Sequence, residues 1–237
     1  MQDKFEILKS FAKHYSLALM VIDVENKQDL QLATGVIIKK EDKYYLCSAA
    51  HVFEDFLKIG VNGRLQIGLD KFTYNQNDSN RICISKKYDF GVLEITANEV
   101  EENKWPYIES NIVSNEDSIV GERIIFYGFP GDYKELELIP FKVNVRGFYV
   151  YGEIVSVEYD QFSVRTDNQR YIFKDDPNIR LTQLGGMSGA PIFGFENESE
   201  KIILKGWMYQ GEPYDNLTHK YFALLSKAFD QVVRSIK

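Results

Sequence analysis

Leu184-Gly185-Gly186-Met187-Ser188-Gly189-Ala190-Pro191 places a serine among glycines, just ahead of a proline and the apolar pair Ile192-Phe193. Glycine and proline punctuate the backbone, so the stretch predicts a tight turn feeding a strand. A serine hydroxyl attacks a carbonyl well only when a base removes its proton. It also needs N–H donors aimed at the oxyanion that forms. Gly186, with no side chain, brings its backbone close to a reacting carbonyl, and the N–H of Ser188 supplies a second donor. An ordinary hairpin turn has the same local signature. The chemical reading therefore requires a histidine and a carboxylate from elsewhere in the chain.

Three histidines are present: His14, His51 and His219. A solitary histidine is usually structural or exposed, and His14 falls on the surface side of a predicted helix. His51 follows a β-rich run and the small pair Ala49-Ala50, where a ring fits against neighbouring backbone. A histidine base needs a partner on its other nitrogen to fix the tautomer and stabilise the imidazolium. Asp89 is the best candidate. It stands before Phe90-Gly91-Val92-Leu93-Glu94-Ile95, at the mouth of a buried-looking strand, where a desolvated carboxylate seeks a donor. It also reads as a plain turn aspartate. Asp55 and Asp70 compete, but neither opens such a run.

The organisation around these positions is dominated by strands. Residues 3–15 predict a helix, with Phe5, Leu8, Phe11, Ala12 and Tyr15 on one face and Asp3 and Glu6 spaced as a capping box. This helix is expected to pack outside the first β unit. Strands are expected at 16–24, 32–38, 44–48, 64–69, 81–85 and 90–95, with a short helical turn at 49–53. Residues 96–117 turn polar and acidic, and read as a linker. Further strands are expected at 122–127, 140–150, 153–159, 161–164, 192–195, 202–209 and 221–225. Ser226 then caps a last helix whose stripe is Phe229, Val232, Val233 and Ile236. Short strands with helices only at the ends predict an all-β sandwich or a pair of barrels.

The totals fit this picture. The chain has 237 residues, 44% hydrophobic and 27% charged, enough for a sizeable core. A net charge of −7 argues against a general nucleic-acid or anionic-membrane binder. No run approaches the roughly 18 apolar residues of a membrane span. The acidic residues near Met1 argue against a secretory signal. Only two cysteines occur, Cys47 and Cys83; free thiols in a reducing cytosol account for them simply. There is no zinc-type Cys/His cluster and no phosphate-binding loop, so no metal or cofactor is expected.

The sequence resembles the trypsin/chymotrypsin superfamily of serine peptidases. The matching stretches are Ala33-Thr34-Gly35-Val36-Ile37-Ile38, Cys47-Ser48-Ala49-Ala50-His51-Val52, Tyr88-Asp89-Phe90-Gly91-Val92-Leu93 and Gly186-Met187-Ser188-Gly189-Ala190-Pro191. They occur in the order His, Asp, Ser, which other triad folds do not share. Residues 121–131 look like the opening of the family's second barrel. The resemblance implies two packed antiparallel six-stranded β-barrels with the site between them. On that reading residues 1–15 form an extra helix, 16–110 the first barrel with His51 and Asp89, and 111–237 the second barrel with Ser188 and a C-terminal helix. It further implies Ser188 as nucleophile, His51 as base and then acid, Asp89 as its orienter, and the Gly186 and Ser188 N–H groups as the oxyanion hole.

The departures are informative. Secreted members carry an aspartate directly before the serine, to pair with a freshly cut N-terminus. Here the position is Met187, and the apolar-Gly-Gly activation start is absent. A thioether makes no ion pair, so no trypsin-type zymogen switch is expected. Active-site order then comes from packing, or from an activating partner or ligand. The disulfide bracketing the histidine is also missing, as in the intracellular bacterial branches. By the same resemblance Tyr209, Gln210 and Gly211 lie where the family pairs with substrate backbone, with Trp207 and Met208 as core. Thr182 takes the floor of the specificity pocket. Being uncharged, it does not support a Lys/Arg preference. His219, beside Lys220, falls near the opposite wall. The expected function is a cytoplasmic serine endopeptidase acting on a protein or peptide. The alternative is a catalytically silent module of the same fold that binds a partner peptide in the cleft. Oligomeric state is left open.

Overall fold

The computed structural model describes residues 2–26, 30–68, 73–114, 118–130, 134–138, 141–145, 147–167, 186–196, 199–213, 218–225 and 228–234. The chain begins with helix α1 (Gln2–Tyr15) and then builds a curled sheet from β1 (Leu17–Asp23), β2 (Leu30–Lys40), β3 (Lys43–Ala49), β4 (Gly63–Ile67), β5 (Thr73–Tyr74), β6 (Ile82–Ser85), β7 (Phe90–Ile95) and β8 (Tyr107–Glu109). Helices α2 (Ala50–Ile59) and α3 (Ala97–Asn103) are inserted between them. The strand order is β5-β4-β1-β2-β3-β7-β6, with β8 paired to β2. The second half is a closed barrel of β9 (Arg123–Gly128), β12 (Phe148–Glu158), β13 (Gln161–Asp167), β14 (Pro191–Phe195), β15 (Ile202–Pro213) and β16 (Thr218–Leu225). A hairpin, β10 (Lys134–Leu138) and β11 (Phe141–Val145), precedes β12, and α4 (Ala228–Val233) follows the barrel.

This is the chymotrypsin-like two-barrel architecture, with one correction to the expected strand count. The second barrel has six strands, but the first sheet has eight, and its β2–β8 pair is parallel. Of the two extra strands, β5 is a two-residue strand at Thr73–Tyr74, and β8 comes from residues 96–117, which are not a bare linker. Thr96 and Glu99 form a capping box that starts α3, and Arg81 clamps Glu99 with contacts of 3.0 and 2.6 Å. The acidic run is thus a helix surface, and Trp105 behind it is buried. The helical turn expected at 49–53 also extends, to Ile59. Val52, Phe53 and Phe56 are buried on its inner face while Glu54 and Asp55 lie outward, an amphipathic pattern that outlasts the short polar interruption.

Three of the four apolar clusters among the described residues organise the molecule. One fills the first sheet, with Leu46, Phe53, Phe56, Leu93 and Trp105. A second fills the barrel, with Ile124, Phe126, Val164, Met187 and Met208. The third joins the halves and brings Cys47, Phe90 and Val92 against Phe193, Leu204 and Trp207. Terminal helices seal this seam, each on the half remote from it in sequence. Helix α1 lies on the barrel rather than on the first sheet: Phe11 meets Phe193 edge-on at 5.2 Å, and Lys9 stands 5.1 Å above the Tyr149 ring. Helix α4 lies on the first sheet, where the Tyr88 hydroxyl donates to Gln231 at 2.8 Å and Lys40 pairs with Asp230. Among the described residues no helix is long and apolar enough to cross a membrane.

Among the described residues the barrel contains one buried cation. A bulge in β15, where Ile192 faces Gly206 but Phe193 faces Leu204, leaves Lys205 as the extra residue. Its side chain is 3% exposed and pairs with Glu122 at 2.9 Å. Removing one partner of a buried ion pair leaves the other charge without compensation. Glu122→Ala is therefore expected to lower unfolding stability by about 3–5 kcal/mol in urea denaturation. Adding Lys205→Met to that variant is expected to restore most of the loss.

Candidate active site

The register between β3 and β7 positions the first half of the site. Ala49 pairs with Phe90, so the residue before Phe90 faces the start of α2. That helix has no side-chain cap of its own, because Ala49 occupies the N-cap. The first N–H groups of a helix lack intrahelical acceptors. Asp89 supplies them: its carbonyl accepts from Ala50 N–H at 3.0 Å and its Oδ1 from His51 N–H at 3.1 Å. The same carboxylate holds the His51 ring, with Nδ1 at 2.9 Å from Oδ2 and 3.2 Å from Oδ1. Asp89 does this at φ = 44°, a left-handed conformation that aspartate tolerates better than most residues.

The electrostatic consequence follows from the geometry. The His51 pKa is raised above its ordinary 6.5, first by the hydrogen bond to Asp89, against an opposing contribution from burial. The ring is about half-buried. A raised folded-state pKa stabilises the fold below the ordinary histidine value. That contribution disappears as pH rises through the folded value. Cys47, the other group near this strand end that is chemically capable of attack, is fully buried and free; burial pushes its thiol pKa well up, which makes it a poor nucleophile.

Ser188 lies in the 186–190 turn that leads into β14. Gly186 (φ = 92°) and Gly189 (φ = 82°) take left-handed conformations that favour glycine. Met187 points into the barrel core and is buried. Its carbonyl accepts from Ala190 N–H at 3.0 Å, and Gly189 N–H donates to Met208 at 2.7 Å. A trans peptide holds its N–H opposite its C=O. The Ser188 N–H therefore points away from the direction in which Met187 C=O is held. Among the described residues neither Gly186 N–H nor Ser188 N–H reaches an acceptor.

The turn is applied directly to the first sheet. Thr34 N–H donates to the Ser188 carbonyl at 3.0 Å, and the Thr34 hydroxyl donates to the Gly186 carbonyl at 2.9 Å. A β-carbon on Gly189 would lie 2.2 Å from Ser48 Oγ and 2.9 Å from Ala49 N. The Ser188 turn thus abuts the residue that caps α2, two positions before His51. Among the described residues no hydrogen bond joins the His51 ring to the Ser188 hydroxyl. The structure therefore pairs His51 with Asp89 and places the Ser188 turn against the same strand end, with no hydrogen bond between the His51 ring and Ser188 among the described residues.

The positions expected to face substrate divide into three groups. Thr182 lies outside the described residues. His219 is on β16, opposite Thr166 and Pro213 in the ladders. Tyr209, Gln210 and Gly211 lie on β15 beyond Trp207, its last partner on β14; Tyr209 is the residue skipped at a bulge against β16. Trp207 and Met208 are buried core. Beside Asp89 and Tyr209 a cleft of about 340 Å³ opens between the 86–89 and 158–161 turns. Lys87 and Asp160 approach to 3.4 Å across it. Thr34 was not distinguishable in sequence, because a threonine inside a β-rich run is ordinary; the only hint was its position between two small residues. Among the described residues no group of three or more His, Cys, Asp or Glu side chains is set to hold a metal.

Comparison with known proteins gives a consistent outcome. Residues 33–199 match the model of the trypsin-like peptidase domain. Among solved structures, the protease Anisep from Arthrobacter nicotinovorans aligns with a TM-score of 0.57 at 11% identity, covering 94% of this chain and 95% of that one. The thermostable serine protease AL20 from an extremophilic microorganism aligns with a TM-score of 0.55 at 12% identity, covering 94% and 96%. No curated protein matches at a significant level.

The pair of His51 and Asp89 is open to a direct test. Asp89→Asn keeps an acceptor for the helix N–H groups but removes the charge that favours imidazolium. In an NMR titration its His51 pKa is expected to fall below that of the native chain, since burial then acts without its main opponent.

Proposed function

The chain belongs to the trypsin-like peptidase family, and from that membership we propose that it is a serine endopeptidase using His51, Asp89 and Ser188. The observation that carries the reading is the double hold of Asp89 on His51, through ring and backbone, beside a Ser188 turn that abuts the same strand end. In the proposed reaction Ser188 Oγ attacks the scissile carbonyl carbon while His51 Nε2 takes its proton. Asp89 stabilises the imidazolium from the Nδ1 side. The Gly186 and Ser188 N–H groups receive the negative charge on the carbonyl oxygen. His51 then gives its proton to the leaving amine, the C–N bond breaks, and an acyl-enzyme remains. Water, deprotonated by His51, attacks the ester and releases Ser188.

A protein or peptide substrate would lie extended along Tyr209, Gln210 and Gly211, with its chain continuing into the cleft beside Asp89. Thr182 and His219 are proposed contributors to side-chain selection, with Thr182 offering no anion for a Lys/Arg side chain. The free state of Cys47 and Cys83 supports action in the cytoplasm. The missing His51–Ser188 hydrogen bond favours a second reading, a silent module binding a partner peptide in the cleft. Catalytic hydrogen bonds are often long before substrate binds, so that observation weighs less than the held histidine.

A fluorophosphonate probe separates the two. It is expected to label the native chain at Ser188 and to leave Ser188→Ala unlabelled, with peptide turnover reduced at least about 10⁴-fold. Labelling retained in Ser188→Ala would reassign the nucleophile; no labelling of the native chain would favour the silent module. Because His51 must be neutral to accept a proton and its pKa is raised, kcat/KM should rise with pH through a value above 6.5.

A further inference from the structure

Thr34 makes more connections across the seam than its place in an ordinary strand requires. Its N–H donates to Ser188 C=O at 3.0 Å and its hydroxyl donates to Gly186 C=O at 2.9 Å. That hydroxyl accepts from Phe129 N–H at 3.1 Å, at the end of β9. Its carbonyl accepts from Ser48 Oγ at 2.7 Å. Thr34 is 0% exposed, so none of these bonds competes with water. The hydroxyl has a defined direction: one donor enters it, and it can give its proton only to Gly186. On the other side of the turn Met187 is seated in the barrel core. Its sulfur is so close to Gly128 that a β-carbon there would lie 2.8 Å from it. The turn carrying Ser188 is therefore gripped from both sides, by a thioether in one half and a threonine in the other.

We propose that Thr34 is the positioning residue of the Ser188 turn: by holding the Gly186 and Ser188 carbonyls toward the first sheet, it anchors the peptides on either side of the Met187–Ser188 peptide and so keeps the Ser188 N–H, which lies opposite Met187 C=O, turned to the reacting carbonyl. This rests on the peptidase reading above. It means that the Ser188 donor of the oxyanion site is set by folding alone. Neither a new N-terminus nor a charged partner for position 187 is required. Thr34 touches no reacting atom. Its influence falls on steps in which negative charge develops on the carbonyl oxygen, and only weakly on ground-state peptide binding.

The test compares Thr34→Val, which keeps the shape and loses the hydroxyl, with Thr34→Ser, which keeps the hydroxyl. The readouts are the second-order rate of fluorophosphonate labelling, the inhibition constant of a peptide aldehyde, and kcat and KM on one peptide. Thr34→Val is expected to lose about 10–100-fold in labelling, aldehyde affinity and kcat, with KM within about threefold. Thr34→Ser is expected to recover most of that loss. If Thr34→Val does not fold, Thr34→Cys, with a weak thiol donor of similar size, is expected to show an intermediate loss. A native labelling rate in Thr34→Val or Thr34→Cys overturns the proposal. So do equal losses in Thr34→Val and Thr34→Ser, or a loss confined to KM. A native chain that is not labelled at Ser188 refutes the peptidase reading itself, whereas a labelled native chain with an unimpaired valine variant refutes only the role of Thr34.

Discussion

The seam between the two halves closes because position 189 has no side chain. A β-carbon there would lie 2.2 Å from both Ser48 Oγ and the Thr34 carbonyl oxygen, and the residue's φ of 82° already disfavours any other amino acid. With glycine in place, the turn that leads into β14 rests on backbone within β2, at Thr34, and at the end of β3. Contacts of this kind leave little slack, since there is no side chain to repack. The apolar seam behind the turn depends on the same closure. Trp207, one residue from the strand position that bonds to Gly189, lies tilted with its ring centroid 4.6 Å from that of Phe90, the residue after Asp89. Turn, strand end and aromatic pair are one contact surface, and the site occupies its solvent edge.

On the first-sheet side, a single carboxylate meets two demands. Helix α2 has alanine at its N-cap and cannot cap itself, so the Asp89 carbonyl accepts from Ala50 N–H and its carboxylate accepts from His51 N–H while also orienting the His51 ring. A carboxylate at a helix N-terminus is also favoured by the helix dipole. The coupling has a structural consequence: the imidazole cannot turn without losing Asp89, and Asp89 cannot turn without uncapping the helix. Orientation of the His51 ring is thereby tied to local stability rather than to one hydrogen bond alone.

The fold class was legible because its signals are local. Alternating strands bounded by turn residues, the Ala49-Ala50-His51 step, Asp89 ahead of a strand and the glycine-flanked serine each declare themselves within a few residues. What sequence reading missed was carried by contacts distant in the chain. The acidic run after Thr96 reads as a linker by charge, yet Arg81 from another segment anchors Glu99 and turns it into a helix. Thr34 is unremarkable beside its neighbours, and its importance arises only when Gly186 and Ser188 arrive from the other barrel. Helix α1 presents an apolar stripe that sequence can identify, but a stripe does not state which sheet it covers.

The exchange of terminal helices bears on how the site is held. Helix α1 leads into the first sheet but packs on the barrel, through Phe5 near Tyr151 and Phe11 against Phe193. Helix α4 leaves the barrel but packs on the first sheet, where Phe229 meets Tyr45 and bridges back to Trp207. A hinge motion opening the seam would have to unpack both helices together with the aromatic cluster between them. The polar contacts at the rim, Lys87 with Asp160 and Tyr88 with Gln231, are exposed enough to contribute little stability; they favour one alignment of the halves over its neighbours. The apolar centre supplies the cohesion and the rim supplies the register. Rotation of the Ser188 hydroxyl about its χ1 angle requires no movement of one half against the other.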